Sequence, residues 1–182
     1  MRSHTRVLLV AAVVAVFGAL SAVALAASPH FKHGGEPVCT ITNTGSSSST
    51  TCTASLSGLG GGDLVINVTV SGSAVYQCQN HGGQTAPGQN KVLVGPVTSP
   101  TTIPADQVKN GTVTFTTNPA VLTAPTTVSG AAAGCPATNW TGVNPTLTVT
   151  NINMTISQGG SLLFTCSASN PNGLSGTVSL SC

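Results

Sequence analysis

The sequence is short of charge, of aromatic rings and of helical periodicity. Charged residues make up 4% of its 182 residues and aromatic residues 3%. Both arginines, Arg2 and Arg6, fall in the first six residues; beyond them Lys32, Lys91 and Lys109 balance Glu36, Asp63 and Asp106. Phosphate backbones are held by clustered lysine and arginine, so nucleic acid is excluded as a partner. General acid–base work needs a histidine or carboxylate beside a nucleophile or a second carboxylate, and here the three carboxylates are isolated from one another. Ser175 sits in "GLSG", which lacks the G-x-S-x-G pattern of a nucleophile elbow. The chain is therefore expected not to be an enzyme and to need no cofactor. Thr, Ser, Asn and Gly must make the surface, and a near-neutral surface favours self-association.

The first residues read as an export signal. Arg2, His4 and Arg6 make a basic start, Val7 to Leu20 is apolar or small, and Ala24-Leu25-Ala26 is a small-x-small cleavage site. The alternative is a retained anchor, since Val7 to Ala27 approaches the length that spans a bilayer. The expected organisation is a signal over 1–26, a flexible leader over 27–36 and one β-sandwich domain over 37–182. No membrane contact is expected after signal removal, and the product is expected to be secreted, with cell-wall association as an option. All six cysteines (Cys39, Cys52, Cys78, Cys135, Cys166 and Cys182) follow the signal. An even number in an exported chain implies three disulfides.

From Pro37 onward the pattern is that of short strands. Leu64, Ile66, Val68 and Val70 alternate with polar or smaller residues, as do Ala74, Tyr76 and Cys78, and Leu162, Phe164 and Cys166. Strands are expected near 38–43, 50–57, 63–70, 73–79, 91–97, 111–117, 146–157, 161–168 and 175–181. That defines an all-β class: an antiparallel β-sandwich, Ig-like in architecture, with about nine strands. Within 146–157 the phase changes, because Leu147 and Val149 are odd-numbered whereas Ile152, Met154 and Ile156 are even. One extra residue near Asn151 would restore the face. Segments 80–90 and 98–110 are expected as polar loops, and 117–145, which carries "SGAAAG", as a long irregular connection with at most one edge strand.

Hairpin geometry favours two disulfides. Cys39 and Cys52 are centred between Gly45 and Ser46, and Cys166 and Cys182 on Leu174 beside the turn-like "NPNG". Elimination leaves Cys78 with Cys135. Five cysteines run in phase with the apolar side of a strand; Cys135 alone reads as a loop residue.

"YQCQNHGGQ" over residues 76–84 raises a metal reading. Cys78 and His81 supply two ligand types of a blue-copper site, with His30 or His33 as a third. Against this, the only methionine beyond the signal is Met154, within an expected strand, and a thiolate at Cys78 would leave one cysteine unpaired. No metal is therefore expected; Cys78 is a disulfide anchor, and Gly82-Gly83 permits positive φ in the following turn. A binding loop remains open at His81, Gly82, Gly83 and Trp140. Trp140 offers a single aromatic platform for a sugar, and packing on the Cys78–Cys135 disulfide competes with that role. Four N-x-S/T sequons (Asn67, Asn110, Asn139 and Asn153) matter where the host glycosylates them.

The block Tyr76-x-Cys78-x-Asn80-x-Gly82-Gly83, followed by Cys135-Pro136 and the late strand "LTVTNINMTI", resembles small secreted proteins of actinobacteria. The resemblance covers roughly residues 60–157. It implies a Cys78–Cys135 pairing and carries no activity, and His81 falls at an unspecified position of the block. The expectation is an exported, non-enzymatic structural or interaction module at or outside the cell surface. The alternative is a module that binds a glycan or protein through loops 80–90 and 135–145. Its partner is an extracellular protein, a glycan, or a second copy.

Overall fold

The computed structural model describes residues 28–182; the expected export signal and the expected cleavage site before Ala27 lie outside the described residues. Twelve strands fill most of this span: β1 His30–Phe31, β2 Val38–Thr44, β3 Ser47–Ser57, β4 Leu64–Gln79, β5 Thr85–Pro87, β6 Val92–Ile103, β7 Val113–Thr116, β8 Ala120–Thr123, β9 Val128–Ser129, β10 Thr141–Gln158, β11 Ser161–Leu174 and β12 Gly176–Ser179. A 3-10 turn at Ala105–Gln107 and a four-residue helix α1 at Gly130–Ala133 are the only helical pieces among the described residues. The strands form two antiparallel sheets, and the expected sandwich is what is seen.

In one sheet β3 is central. Ser48 pairs with Asn43 of β2 on one edge and with Leu122 of β8 on the other. β7 continues the second edge beside Thr53–Leu56, β1 lies against Leu56–Ser57, and β12 adds to the free edge of β2. In the other sheet β4 and β10 run antiparallel from Leu64↔Gln158 to Gln79↔Thr141. β6 and β5 flank β4, while β11 and β9 flank β10. The core lies between the sheets. Leu64, Ile66, Val68 and Val70 of β4 and Ile152, Met154 and Ile156 of β10 are all 0% exposed and oppose Leu56, Ala54 and Leu122 of the β3 sheet. Each such aliphatic side chain contributes about 1.5–3 kcal/mol by leaving water, so a core nearly free of aromatics suffices.

Several expectations hold at residue level. The β2–β3 turn is Gly45-Ser46, with Gly45 at φ 67° and Thr44 opposite Ser47. The phase change in β10 is a register shift between Val149 and Asn151, felt by both β4 and β11. All three expected disulfides are formed: Cys39–Cys52, Cys78–Cys135 and Cys166–Cys182.

Other boundaries moved. The strands expected at 63–70 and 73–79 are one strand, β4, because Ser71-Gly72 does not turn; Gly72 lies so close to the Thr148 carbonyl that a Cβ would sit 2.2 Å from its oxygen. β6 runs on to Ile103 through the expected 98–110 loop. Its prolines misled, since Pro96 and Pro100 are tolerated on a strand with one free edge. The connection expected over 117–145 holds β8, β9, α1 and the start of β10, and β5 lies within the expected 80–90 loop. The segment read as a leader includes β1, whose Phe31 ring stacks on Phe164 at 4.6 Å and joins the two sheets along one side. On the opposite side Asn118 bonds the Pro100 carbonyl (2.9 Å) and Thr101 Oγ1 (2.7 Å) of β6. The "NPNG" segment is a bulge within β11, between the Asn151↔Ser169 and Val149↔Leu174 pairs, and the chain reverses after it at Ser175. β12 then joins the β3 sheet, so the expected hairpin with β11 is reduced to the Ser167↔Ser181 bridge beside the Cys166–Cys182 bond, in the expected register. Cys182 follows the apolar phase of Leu180 yet is exposed.

Candidate functional site

Irregular structure gathers at the pole where β4 ends and β10 begins. Thr141 opposes Gln79, so the turn after β4 and the segment before β10 emerge side by side. The turn Asn80–Gln84 closes on itself. Asn80 N donates to the Gln84 carbonyl (3.0 Å), Gln84 N to Asn80 Oδ1 (2.9 Å), and Asn80 Nδ2 to Gln84 Oε1 (3.0 Å). Gly83 takes φ 79°. His81, Gly82 and Gly83 at the tip are all exposed.

The Cys78–Cys135 bond ties this turn to the α1 region. Ser129 caps α1 by accepting from Ala132 N (3.2 Å), and Gly134 ends it at φ 68°. Asn90 N donates to the Ala133 carbonyl at 3.1 Å, and the Gly134 backbone lies against Asn90 so closely that a Cβ there would meet its side chain at 2.7 Å. Below, Tyr76 is 1% exposed and donates its hydroxyl to the Pro125 carbonyl (2.9 Å). Burial raises the Tyr76 pKa above its ordinary value of 10.0, because the phenolate would be desolvated. Trp140 is half-buried and packs against the core, with its amide donating to the Ala137 carbonyl at 3.1 Å.

Two shallow depressions open nearby. One of about 380 Å³ is lined by Ser46, Thr126, Asn144 and Pro145. Beside it Leu147 N of β10 donates to the Gly45 carbonyl of the β2–β3 turn (2.9 Å). The other, about 230 Å³, is lined by Gln77, Thr85, Ala86 and Pro87. Asn144 stands between them at φ 50° with its Nδ2 3.1 Å from Gln77 Oε1. Both linings are uncharged, so the pole can offer hydroxyls, amides and one half-buried indole. Sequence reasoning passed over Asn144 and the Asn80/Gln84 pair. Their signals were an Asn-Pro step inside a strand pattern and an Asn and Gln four apart around glycines.

The ligands considered for copper do not meet. Cys78 is bonded to Cys135 and is no thiolate. His30 pairs with Ser57 at the far pole, where its Nδ1 lies 2.8 Å from the Ser28 carbonyl. β4 separates that pole from His81 by 16 residues, about 50 Å of strand. Among the described residues no three His, Cys, Asp or Glu side chains converge. Asp63 is also at the far pole, where its Oδ1 accepts from Ala105 N at 2.9 Å and starts the 3-10 turn. Of the sequons, Asn110 and Asn139 are exposed in turns, whereas Asn67 and Asn153 are half-buried in β4 and β10.

No family model matches the chain. No curated protein matches it either. Among solved structures it is similar to a beta-glucuronidase from Bacteroides uniformis, at 12% identity and a TM-score of 0.33. That match covers 78% of this chain and 14% of the glucuronidase.

Proposed function

We propose that the protein is an exported, non-enzymatic β-sandwich that serves as a structural or interaction module at or outside the cell surface. The observation that carries this reading is the closure of all six cysteines in three disulfides, with none free; such bonds persist in oxidising compartments. Among the described residues no helix is long and apolar enough to cross a membrane. The test is fractionation of the producing cell into medium, wall and membrane, with cross-linking of neighbours. Recovery in medium or wall at the mass of a chain starting at Ala27 is expected. Recovery only in membranes at full precursor mass would overturn the reading.

A second reading is favoured by the shared pole. The Cys78–Cys135 bond holds loops 80–90 and 135–145 next to each other, as a glycan- or protein-binding site built from both requires. Half-buried Trp140 would report occupancy through its fluorescence. A saturable change on titration with cell-wall polysaccharide, weakened in His81→Ala, is the expected result. An unchanged spectrum over the whole titration removes the glycan form of this reading.

A further inference from the structure

We infer that the Cys166–Cys182 disulfide is a reducible latch on the C-terminal strand, opened by a dithiol reductant while the other two disulfides stay closed. β11 belongs to the β4 sheet through β10, and β12 belongs to the β3 sheet through β2, with the single residue Ser175 between them. The arm that follows Ser175 is short. β12 makes four register pairs with β2, from Gly176↔Ile41 to Ser179↔Val38, and Leu180 N donates to the Pro37 carbonyl at 2.9 Å. Ser167 and Ser181 exchange two backbone bonds of 2.8 and 2.9 Å. Only Leu180 of the arm is buried, at 6% exposure. The covalent tie from Cys182 back to β11 is therefore the arm's one strong constraint, and β12 is the sole cover of the β2 edge over residues 38–41.

The three bonds differ in access. Cys39 and Cys52 are both 0% exposed, so their bond lies wholly inside the sandwich. Cys78 is 0% exposed and Cys135 is half-buried against α1. Cys166 is 1% exposed, but Cys182 is exposed at the end of the arm. A thiolate must reach one sulfur to displace the other. A thiolate of the reductant attacks Cys182 Sγ, forms a mixed disulfide and expels Cys166 as thiolate, which takes up a proton. The second thiol of the reductant then attacks the mixed disulfide, leaving Cys182 as a thiol and the reductant as its own disulfide. Two electrons and two protons pass to the protein. The cellular partner fitting this chemistry is an exported dithiol–disulfide exchange protein. Once the bond opens, the 16-residue tie is lost, and local opening of the arm should rise on the order of a hundredfold from loop closure alone.

The test is graded reduction of the native protein with dithiothreitol, alkylation and mass mapping, followed by hydrogen exchange on the species with two labels. The expected result is that this species accumulates first, carries its labels on Cys166 and Cys182, and exchanges about a hundredfold faster over 176–180 and 38–41 with the β4 sheet unchanged. First labelling of Cys78 and Cys135, or six labels appearing in one step, overturns the proposal. So does unchanged exchange over 176–180 in the doubly labelled species. The Cys166→Ser/Cys182→Ser variant, with the other bonds oxidised, should show the same exchange pattern without reductant. Where that variant fails to fold, the wild-type reduction series decides.

Discussion

Thr50 faces the core from β3 with 0% exposure, and its Oγ1 has no hydrogen-bond partner within the protein; Ser48, two residues earlier on the same face, is alike. A buried hydroxyl without a partner costs on the order of 1–3 kcal/mol relative to its satisfied state. Thr50→Val replaces that hydroxyl with a methyl of similar size among Ile41, Ala120 and their neighbours. Stability should rise by about 1 kcal/mol, read as a higher urea midpoint with an unchanged slope; a lower midpoint would mean that the hydroxyl is satisfied in solution. Tyr76 makes a second residue-scale case. Its phenol is buried and its pKa lies above 10.0 in the fold, whereas the unfolded chain titrates near ~10. Below that pH both states hold the proton, and the group adds no pH dependence. Above it the unfolded state ionises first, so stability falls as pH rises until the folded pKa is passed. Because the chain has one tyrosine, its ultraviolet absorbance should show phenolate appearing at higher pH in the folded protein than in the denatured chain. Tyr76→Phe should remove that alkaline dependence while lowering stability at neutral pH by about 1 kcal/mol, through loss of the bond to Pro125. Phenolate forming at its ordinary pH in the folded protein would defeat both statements.

Among the elements, β1 and β9 are the smallest at two residues each, and the tie of β1 to the opposite sheet rests on one contact. Phe31 and Phe164 come from different sheets, with ring centroids 4.6 Å apart and planes tilted by 41°. Tilted aromatic pairs are worth about 0.5–1.5 kcal/mol beyond their burial. A double-mutant cycle of Phe31→Leu and Phe164→Leu should therefore return a coupling near 1 kcal/mol in chemical denaturation; additive effects would show that the rings stabilise the sheets separately. This contact also marks where sequence reading stopped. Ile152, Met154 and Ile156 alternate cleanly because β10 buries one face, so the strand and even its extra residue could be read from the phase. The half-turn cysteine spacing worked at Gly45-Ser46 for the same reason, since both partners sit on one hairpin. A two-residue strand such as His30–Phe31 has no period to detect. Pro96 and Pro100 looked like loop markers because sequence does not say which edge of a strand is free. β12 was read correctly as a strand, and its end keeps the expected register on β11 at Ser167↔Ser181, but its ladder is with β2, since a hairpin and a crossing to the opposite sheet have the same local pattern. At the pole, Cys78 and Gly82-Gly83 were legible as anchor and turn. Asn144 carried only the Asn-Pro step as a signal, and that this step bulges out of β10 follows from the register on β4, which the local pattern does not contain.

At the scale of the whole molecule, the three disulfides divide the labour of holding two sheets together. Cys39–Cys52 joins neighbours that the β2–β3 ladder already pairs, and Cys166–Cys182 fastens an arm. Cys78–Cys135 spans 57 residues, from the end of β4 to the segment after α1, and encloses β5 to β9. The chain-entropy model assigns a loop of that length about 4 kcal/mol. A domain of this size has a net stability of only about 5–15 kcal/mol, so this bond alone supplies a large share. It also holds the pole, because Asn90, Gly134 and the Asn80–Gln84 turn all lie within reach of it. The Cys78→Ser/Cys135→Ser variant should lose about 4 kcal/mol in guanidinium unfolding. If it still folds, protease cutting should concentrate at 80–91 and 126–140 while β3 and β4 stay protected. A loss spread evenly over the chain would mean that the pole is ordered by the sandwich itself. In that case the two loops would keep their arrangement without the bond, and a binding site at the pole would not depend on the redox state of its anchor. A loss confined to the pole makes the opposite statement: the surface at this pole exists only where Cys78 and Cys135 are oxidised.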